Sequence, residues 1–472
     1  MSIPEALQTR PMPSVDTMTI DTSILEPLVI NDTFCRFVLE RKGILDSGST
    51  IQLSVLCGAG GDDVAVLPLH TGIHALIKRA VLRIGTKVVA ITDSYGAYAT
   101  MLRSVKTPEE KSQKDMVTAG TLDVICPSRQ QTGQYQLRDV ESATAVLDVP
   151  LEQTTLSSTP GESPLFTIKL SQLFPMMRNI QLPLGQISEA CSVELHFNTQ
   201  KGTVGEQGKV AVYLNSALAI GVKTAKVDQT SVRFLCDYLT YSDDRMEQMA
   251  AMAMSEQGMV IPYEDVVTTN TNFSGLAIPP AAPISTTQIR DIGISGMKCR
   301  AILGHARPNY ADWGPYLLGQ YESKAYQFPL RYQIRVNDKE LYQRPQDNES
   351  KKANEFSAAM NAPISVGSGE YSLDTLVNKE DPARAINNHY MLGSLGSAAG
   401  PSNMQTLEGG SNYIGVDFSS PGNYGVSVGQ KPVQFTSTTT DTATDSLGRT
   451  VTYYSMVERQ MSIKSGVVSV SA

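Results

Sequence analysis

The sequence predicts an all-β protein made of two successive β-sandwiches. Three observations carry this. Short runs in which apolar and polar residues alternate recur along most of the 472 residues. Thirty-six Gly and 25 Pro are spread between those runs and supply turns. Only 18% of residues are charged, fewer than a helix-rich soluble chain carries, while 41% are hydrophobic, enough to bury real cores. The length leaves room for roughly two or three domains.

The chain opens MSIPEALQTRPMPSVDTMTID. Residues 1–17 carry three Pro and little periodicity and read as a mobile or partner-ordered N-terminal arm. The segment lacks a basic start followed by an apolar stretch, so it is not expected to act as a secretory signal. No run approaches the ~18 uncharged apolar residues of a membrane-spanning helix.

Residues 18–200 form the first expected unit. Ile51, Leu53, Val55 and Cys57 alternate with Gln52, Ser54 and Leu56, the pattern of a half-buried strand. LIKRAVLRI at 76–84 meets Gly85-Thr86 and then KVVAIT, a Gly-first pair between two strand-like runs that predicts a type II′ hairpin. Polar loops are expected at 105–118 and 127–136, and a Ser/Thr/Pro-rich one at 152–164. The unit closes with FTIKL and with FPMMRNIQLPLGQISEACSVELHF at 174–197. In the latter, Val193, Leu195 and Phe197 point inward and Ser192, Glu194 and His196 outward. Pro175 and Pro183 cannot donate ladder hydrogen bonds, so the front of the stretch suits a strand margin or bend. Turn residues follow it rather than a nucleophile, ligand or acid. TQKGTVGEQG at 199–208 reads as a linker, its core at 201–208.

Residues 209–472 form the second expected unit. KVAVYLNSALAIGV is strand-like. Ser242 then precedes DDRMEQMAAMAM, a helix that Ser242 can cap and whose positive end Asp243 and Asp244 favour. Met246, Met249, Ala250 and Ala253 share one face, which is expected to pack. Residues 262–330 read as loop-rich. Strand character returns in LRYQIRV, KELY, NYIGVDF and the C-terminal YYSMVERQMSIKSGVVSVSA. LRIGTK at 82–87 and IRVNDK at 334–339 are both strand, two-residue turn, strand, with Arg83 and Arg335, and Lys87 and Lys339, in equivalent places. They lie in two all-β halves of similar size, which points to duplication of one domain. Each half suits an eight-stranded two-sheet sandwich with long loops, whose commonest form is the jelly roll. The expected fold is thus two consecutive jelly rolls with a few short helices.

The residues offer little chemistry. The net charge is −8, and the basic stretches, Lys351-Lys352 and Lys106 to Lys114, are interleaved with acids, against a role in gripping nucleic acid. The cysteines at 35, 57, 126, 191, 236 and 299 show no zinc spacing and read as reduced, buried hydrophobes. Sequons at Asn31, Asn272 and Asn348 read as chance matches. His70 and His74, in HTGIH, are the one close histidine pair; a metal site there competes with a hydrogen-bonded loop pair, which Thr71-Gly72 favours. GAGG at 58–61 lacks the Lys-Ser/Thr of a phosphate-binding loop, and GSLGS at 393–397 is not a nucleophile elbow. Asp62-Asp63 fits a loop. Trp313, in YADWGPY, could stack on a sugar but reads better as a loop anchor or subunit contact. No residue is assigned a catalytic, cofactor-binding or metal role, and no cofactor is expected.

Several segments, in order, resemble the double jelly-roll major capsid proteins of eukaryotic double-stranded DNA viruses. That lineage includes nucleocytoplasmic large viruses, virophages and polinton-like viruses. Phe166, Leu182-Pro183-Leu184, Val193 and Leu195 match a pattern near the end of the family's first jelly roll. Asp237, Tyr238, Asp244 and Arg245 match a strand running into a short helix, placed early in the second domain. RYQIRVNDKELYQRP resembles a later strand, and the C-terminus resembles the final strand pair, with Gly466 at its glycine. The opening pattern of large-virus members is missing, and their Pro-Ser-Gly turn survives only loosely as GPSNMQT at 400–406, which points to a smaller virus. The resemblance implies a non-enzymatic shell protein of the virion. It would homotrimerise into pseudo-hexagonal capsomers and meet neighbouring capsomers, penton and minor capsid proteins; an internal membrane beneath the shell stays open. The loops at 105–118, 262–330 and 375–432 would form towers and clamps. The alternative reading is a glycan-binding β-sandwich protein of a viral or cell surface, using Trp313.

Overall fold

The computed structural model describes residues 18–57, 64–66, 71–104, 106, 114–120, 136–137, 147–148, 161, 163–198, 209–215, 222–273, 284–308, 331–347, 349–360, 413–420, 423–441 and 449–471. Among them, antiparallel strands dominate and the helices are short. The all-β expectation holds.

The first sandwich sets a five-stranded sheet against another. One runs, in spatial order, through Val29–Ile30, Phe34–Val38, Cys191–Phe197, Ile77–Ile84 and Lys87–Asp93. The other runs through Thr19–Leu25, Arg233–Thr240, Thr50–Leu53 and Phe166–Lys169, with Ile44–Leu45 alongside. Phe37 and Phe234 meet edge to face across the gap, ring centroids 5.5 Å apart. A four-stranded sheet continues the second layer beyond Ser54, in the order Val55–Cys57, Val222–Val227, Lys209–Asn215, Val64–Val66.

This pairing corrects the expected domain boundary. Residues 201–208 lie outside the described residues, but the strands that follow them do not open the second unit. Lys209–Asn215 and Val222–Val227 pair with first-half strands. Arg233–Thr240 lies between Thr19–Leu25 and Thr50–Leu53. The segment CDYLTY, read as early second-domain sequence, thus completes the first sandwich. Gly and polar residues at 199–208 signal a turn but not the distant partner of the strand behind it. The N-terminal arm, 1–17, also lies outside the described residues.

The second sandwich pairs a six-stranded sheet with a four-stranded one. The larger runs Met259–Phe273, Arg449–Lys464, Lys298–Pro308, Tyr413–Asp417, with Val426–Ser427 and Val467–Ser471 at its margins. The smaller runs Ile284–Ile292, Val433–Asp441, Arg331–Val336, Lys339–Glu340. Ile284–Ile292, Lys298–Pro308 and most of Met259–Phe273 fall within 262–330, which reads as loop-rich from sequence. VVTTNTNF and ISTTQIRDI owe their polarity to Thr, Asn and Gln, and β-branched Thr favours strands as well as loops.

Both two-residue hairpins form. Gly85 takes φ +60° between Ile77–Ile84 and Lys87–Asp93, as a type II′ turn requires. Asn337 and Asp338 both take positive φ, the type I′ geometry. The expected helix is Asp243–Met254. Ser242 occupies its cap position, but its side chain makes no capping bond; its carbonyl accepts from the Arg245 and Met246 amides instead. Met246, Met249 and Ala250 are half-buried and Ala253 is buried, so that face packs, while Met252 and Met254 are exposed. Tyr95–Ser104 and Glu349–Ala359 are further helices that the sequence reading did not place.

Candidate functional site: the seam between the sandwiches

The alternation in VTYYSMVERQMSIK shows how the two sandwiches join. Val451, Tyr453 and Val457 belong to the core inside the second sandwich. Tyr454, Met456, Met461 and Ile463 belong to a core shared with the first. Between Val451 and Val457 the strand Arg449–Lys464 is therefore buried on both faces. Apolar burial of this kind contributes about 25 cal/mol per Å².

Polar contacts set the register of the seam. The Tyr454 hydroxyl donates to the Ser94 carbonyl (2.8 Å), and its ring lies 5.3 Å from that of Tyr98. The Tyr263 hydroxyl donates to the Val89 carbonyl (2.8 Å). The C-terminal hairpin turns at Ser465-Gly466 and plugs into the first sandwich. The Ser188 amide and hydroxyl both donate to the Gly466 carbonyl, at 2.9 and 2.8 Å. Lys87 donates to the Val468 carbonyl, and Glu189 accepts from the Val468 amide (3.3 Å).

FPMMRNIQLPLGQISEACSVELHF now has a structural role throughout. Pro175 begins a 3-10 turn, Pro175–Arg178, and Pro183 caps another, Leu184–Gln186. Between them Leu182 bridges to Leu45. Cys191–Phe197 is central in its sheet, flanked by Phe34–Val38 and Ile77–Ile84. Its polar side is covered, which the expected half-buried strand did not include. Glu194 is 8% exposed because Arg83 (2.9 Å) and Arg36 (3.8 Å) close over it from the flanking strands.

Two carboxylates, one half-buried and one buried, stand near the seam. Glu264 takes a forked contact from Arg300, at 2.5 and 3.3 Å, and a hydrogen bond from the Tyr424 hydroxyl (3.0 Å). Arg300 also donates to the Ala359 carbonyl (3.1 Å), tying the Glu349–Ala359 helix to the sheet. Asp265, 1% exposed, lies 3.0 Å from Arg459. Burial outweighs the attraction of Arg459 and pushes its carboxyl up to about 6.

The chemical candidates that fall on described residues have structural surroundings. His74 lies in a 3-10 turn, Gly72–Leu76, rather than a loop; Gly72 enters it at φ +58°. Its Nδ1 lies 3.0 Å from the Tyr95 hydroxyl, and burial lowers it to about 4, so it is neutral at pH 7. His70, Trp313, GAGG, GSLGS, Asp62-Asp63 and Asn348 lie outside the described residues. Asp243 and Asp244 sit in the first turn of their helix. Cys35, Cys191, Cys236 and Cys299 are free and buried, each thiol pushed up to about 12 by burial. Among the described residues no three His, Cys, Asp or Glu side chains cluster as metal ligands, and no helix is long and apolar enough to cross a membrane.

Two β-sandwiches in tandem, with their strands antiparallel and a shared apolar seam, define a double jelly roll. Solved structures of that fold match this chain over nearly its whole length. The PBCV-1 virus capsid matches with a TM-score of 0.57 at 9% identity, covering 98% of this chain and 99% of that one. The Sputnik virophage matches with 0.56 at 10% identity, covering 100% and 92%. The Faustovirus major capsid protein matches with 0.55 at 10% identity, covering 98% and 93%. No protein-family model and no curated protein matches the sequence. At such identities the likeness is one of fold.

Proposed function

We propose that this chain is the major capsid protein of an icosahedral double-stranded DNA virus. The observation that carries this is the two-way coverage: the whole of this chain maps onto the whole of a capsid subunit, with both jelly rolls in order and in one chain. A shell protein works by shape. The seam holds the two sandwiches as one block, and loops between strands supply the contacts with neighbours. The role is structural, not enzymatic, and its place is the virion shell.

Three copies, six sandwiches, give a pseudo-hexagonal capsomer that tiles with its neighbours. Further partners would be penton and minor capsid proteins at special positions of the shell. An obligate trimer of this kind buries more than ~2,000 Å² at its interfaces. Light scattering on the purified protein at micromolar concentration tests the reading. The expected mass is three times the 51.1 kDa of the chain. A single-chain mass, unchanged by concentration, contradicts it. A glycan-binding role would instead appear as array binding lost in Trp313→Ala.

A further inference from the structure

The two sandwiches repeat one strand plan. Thr19–Leu25, Arg233–Thr240, Thr50–Leu53 and Phe166–Lys169 lie side by side in one sheet of the first. Met259–Phe273, Arg449–Lys464, Lys298–Pro308 and Tyr413–Asp417 do so in the second. The facing sheets match likewise. Phe34–Val38, Cys191–Phe197, Ile77–Ile84 and Lys87–Asp93 correspond to Ile284–Ile292, Val433–Asp441, Arg331–Val336 and Lys339–Glu340. Corresponding strands also follow one another in the same order along the chain. LRIGTK and IRVNDK are therefore equivalent hairpins, and each places its second strand at the edge of a sheet.

The seam joins one pair of these surfaces. Lys87–Asp93, the edge strand of the first hairpin, lies against Met259–Phe273 of the second sandwich, where the Tyr263 hydroxyl donates to the Val89 carbonyl. Tyr263 and Val266 are buried there. The matching pair of surfaces is uncovered. Thr19–Leu25 is the counterpart of Met259–Phe273, and its Ile20 and Ile24 are 60% and 62% exposed. Both point away from the core: they oppose Leu239 and Leu235, whereas Ser23 and Leu25 oppose the core residues Cys236 and Phe234. Thr19–Leu25 ends its sheet, and among the described residues no strand pairs with its outer side. Leu341, two residues after Lys339 as Val89 is after Lys87, is 40% exposed. Apolar side chains on a free edge strand mark a surface that a partner covers.

We propose that the partner is a second copy of this chain, and that the contact between copies repeats the seam. The outer face of Thr19–Leu25 in one chain receives the hairpin of Arg331–Val336 and Lys339–Glu340, with Leu341, from the next. This contact rests on the trimer proposed above. In a ring of six sandwiches, joints within chains alternate with joints between chains. Within a chain the second sandwich receives the hairpin of the first. Between chains a first sandwich then receives the hairpin of a second. Every joint runs head to tail in the same sense, which is the arrangement that closes into a ring.

Light scattering on full-length variants at micromolar concentration tests the contact. Ile20→Asp combined with Ile24→Asp, and separately Leu341→Asp, are each expected to reduce the mass from three chains to one, because a carboxylate desolvated there has no partner. These side chains are exposed within the chain, so each variant is expected to keep the circular dichroism of its sheets. Ile20→Ser with Ile24→Ser, a milder change with the same expected direction, serves if the charges prevent folding. Ile289→Asp, also exposed but on the strand at the opposite edge of the hairpin's sheet, is expected to remain trimeric. A trimeric mass in a folded Ile20/Ile24 or Leu341 variant overturns the contact and leaves the trimer standing. Loss of the trimer in Ile289→Asp as well overturns its assignment to these strands. A single-chain mass for the unmodified protein contradicts the trimer itself.

Discussion

Asp265 is a carboxylate whose burial works against its charge. Its carboxyl is raised from the ordinary 3.8 to about 6, so the folded chain holds that proton through a range in which the unfolded chain has lost it. The resulting stabilisation is complete below pH 3.8 and is lost as pH rises through about 6. His74 runs the other way: lowered from 6.5 to about 4, its contribution is present above 6.5 and lost as pH falls toward about 4. Urea unfolding of the parent and Asp265→Asn across this range separates the two, because His74 cancels in the difference. The parent's stability relative to the variant should fall by on the order of 2–3 kcal/mol as pH rises through the window, then stay level. A difference flat across that range would contradict the assignment. Arg300 gives a second expectation. Arg300→Ala leaves the part-buried Glu264 carboxylate with only Tyr424 as side-chain partner and should cost about 3 kcal/mol by denaturant unfolding; a cost under about 1 kcal/mol would show the pair to be replaceable. None of these pairs was legible in the sequence. Glu194 shows why: alternation marked it as solvent-facing, and only the arrival of Arg36 and Arg83 from two other strands covers it.

At the scale of elements, local chemistry was legible and distant pairing was not. Gly85-Thr86 and Asn337-Asp338 announced their hairpins, because two-residue turns demand residues that tolerate positive φ. LRIGTK and IRVNDK share a two-residue hairpin, type II′ in one and type I′ in the other, but not their contacts. Arg83 reaches Glu194 on a neighbouring strand, whereas Arg335 reaches Glu340 on its own hairpin. The helix Tyr95–Ser104 escaped notice because YGAYATMLRS carries Gly96 and two tyrosines, weak signals for a helix. Its buried residues Tyr95, Tyr98 and Met101 are held by tertiary packing instead. The C-terminal hairpin carries the clearest test. Gly466 has φ +79°, and a Cβ there would stand 2.7 Å from the Ser188 hydroxyl. Gly466→Val should cost roughly 1–3 kcal/mol and loosen the seam. Hydrogen exchange is expected to quicken at Ser188 and Val468, while the inner strands of each sandwich keep their protection. Uniform loss of protection would show instead that the two sandwiches unfold as one unit. A second close approach, Gly415, lies where a Cβ would meet the Phe356 backbone at 2.2 Å, so Gly415→Ala should lift the Glu349–Ala359 helix from the sheet.

For the whole molecule, composition and repetition pointed to two jelly rolls, and the ordered motifs pointed to capsid proteins. The division between the sandwiches was misplaced, because Arg233–Thr240 reaches back across about 200 residues to pair with Thr19–Leu25. The seam was equally hidden, although its trace is present in VTYYSMVERQMSIK, whose apolar residues occupy both faces of one strand. That burial joins the two jelly rolls in one block, as the proposed trimer with six lobes needs. Electron cryomicroscopy of the purified protein tests that central claim most directly. The account calls for threefold particles of hexagonal outline, each chain supplying two adjacent β-sandwich lobes joined at the seam. Separate two-lobed particles, or a closed assembly of another symmetry, would contradict it.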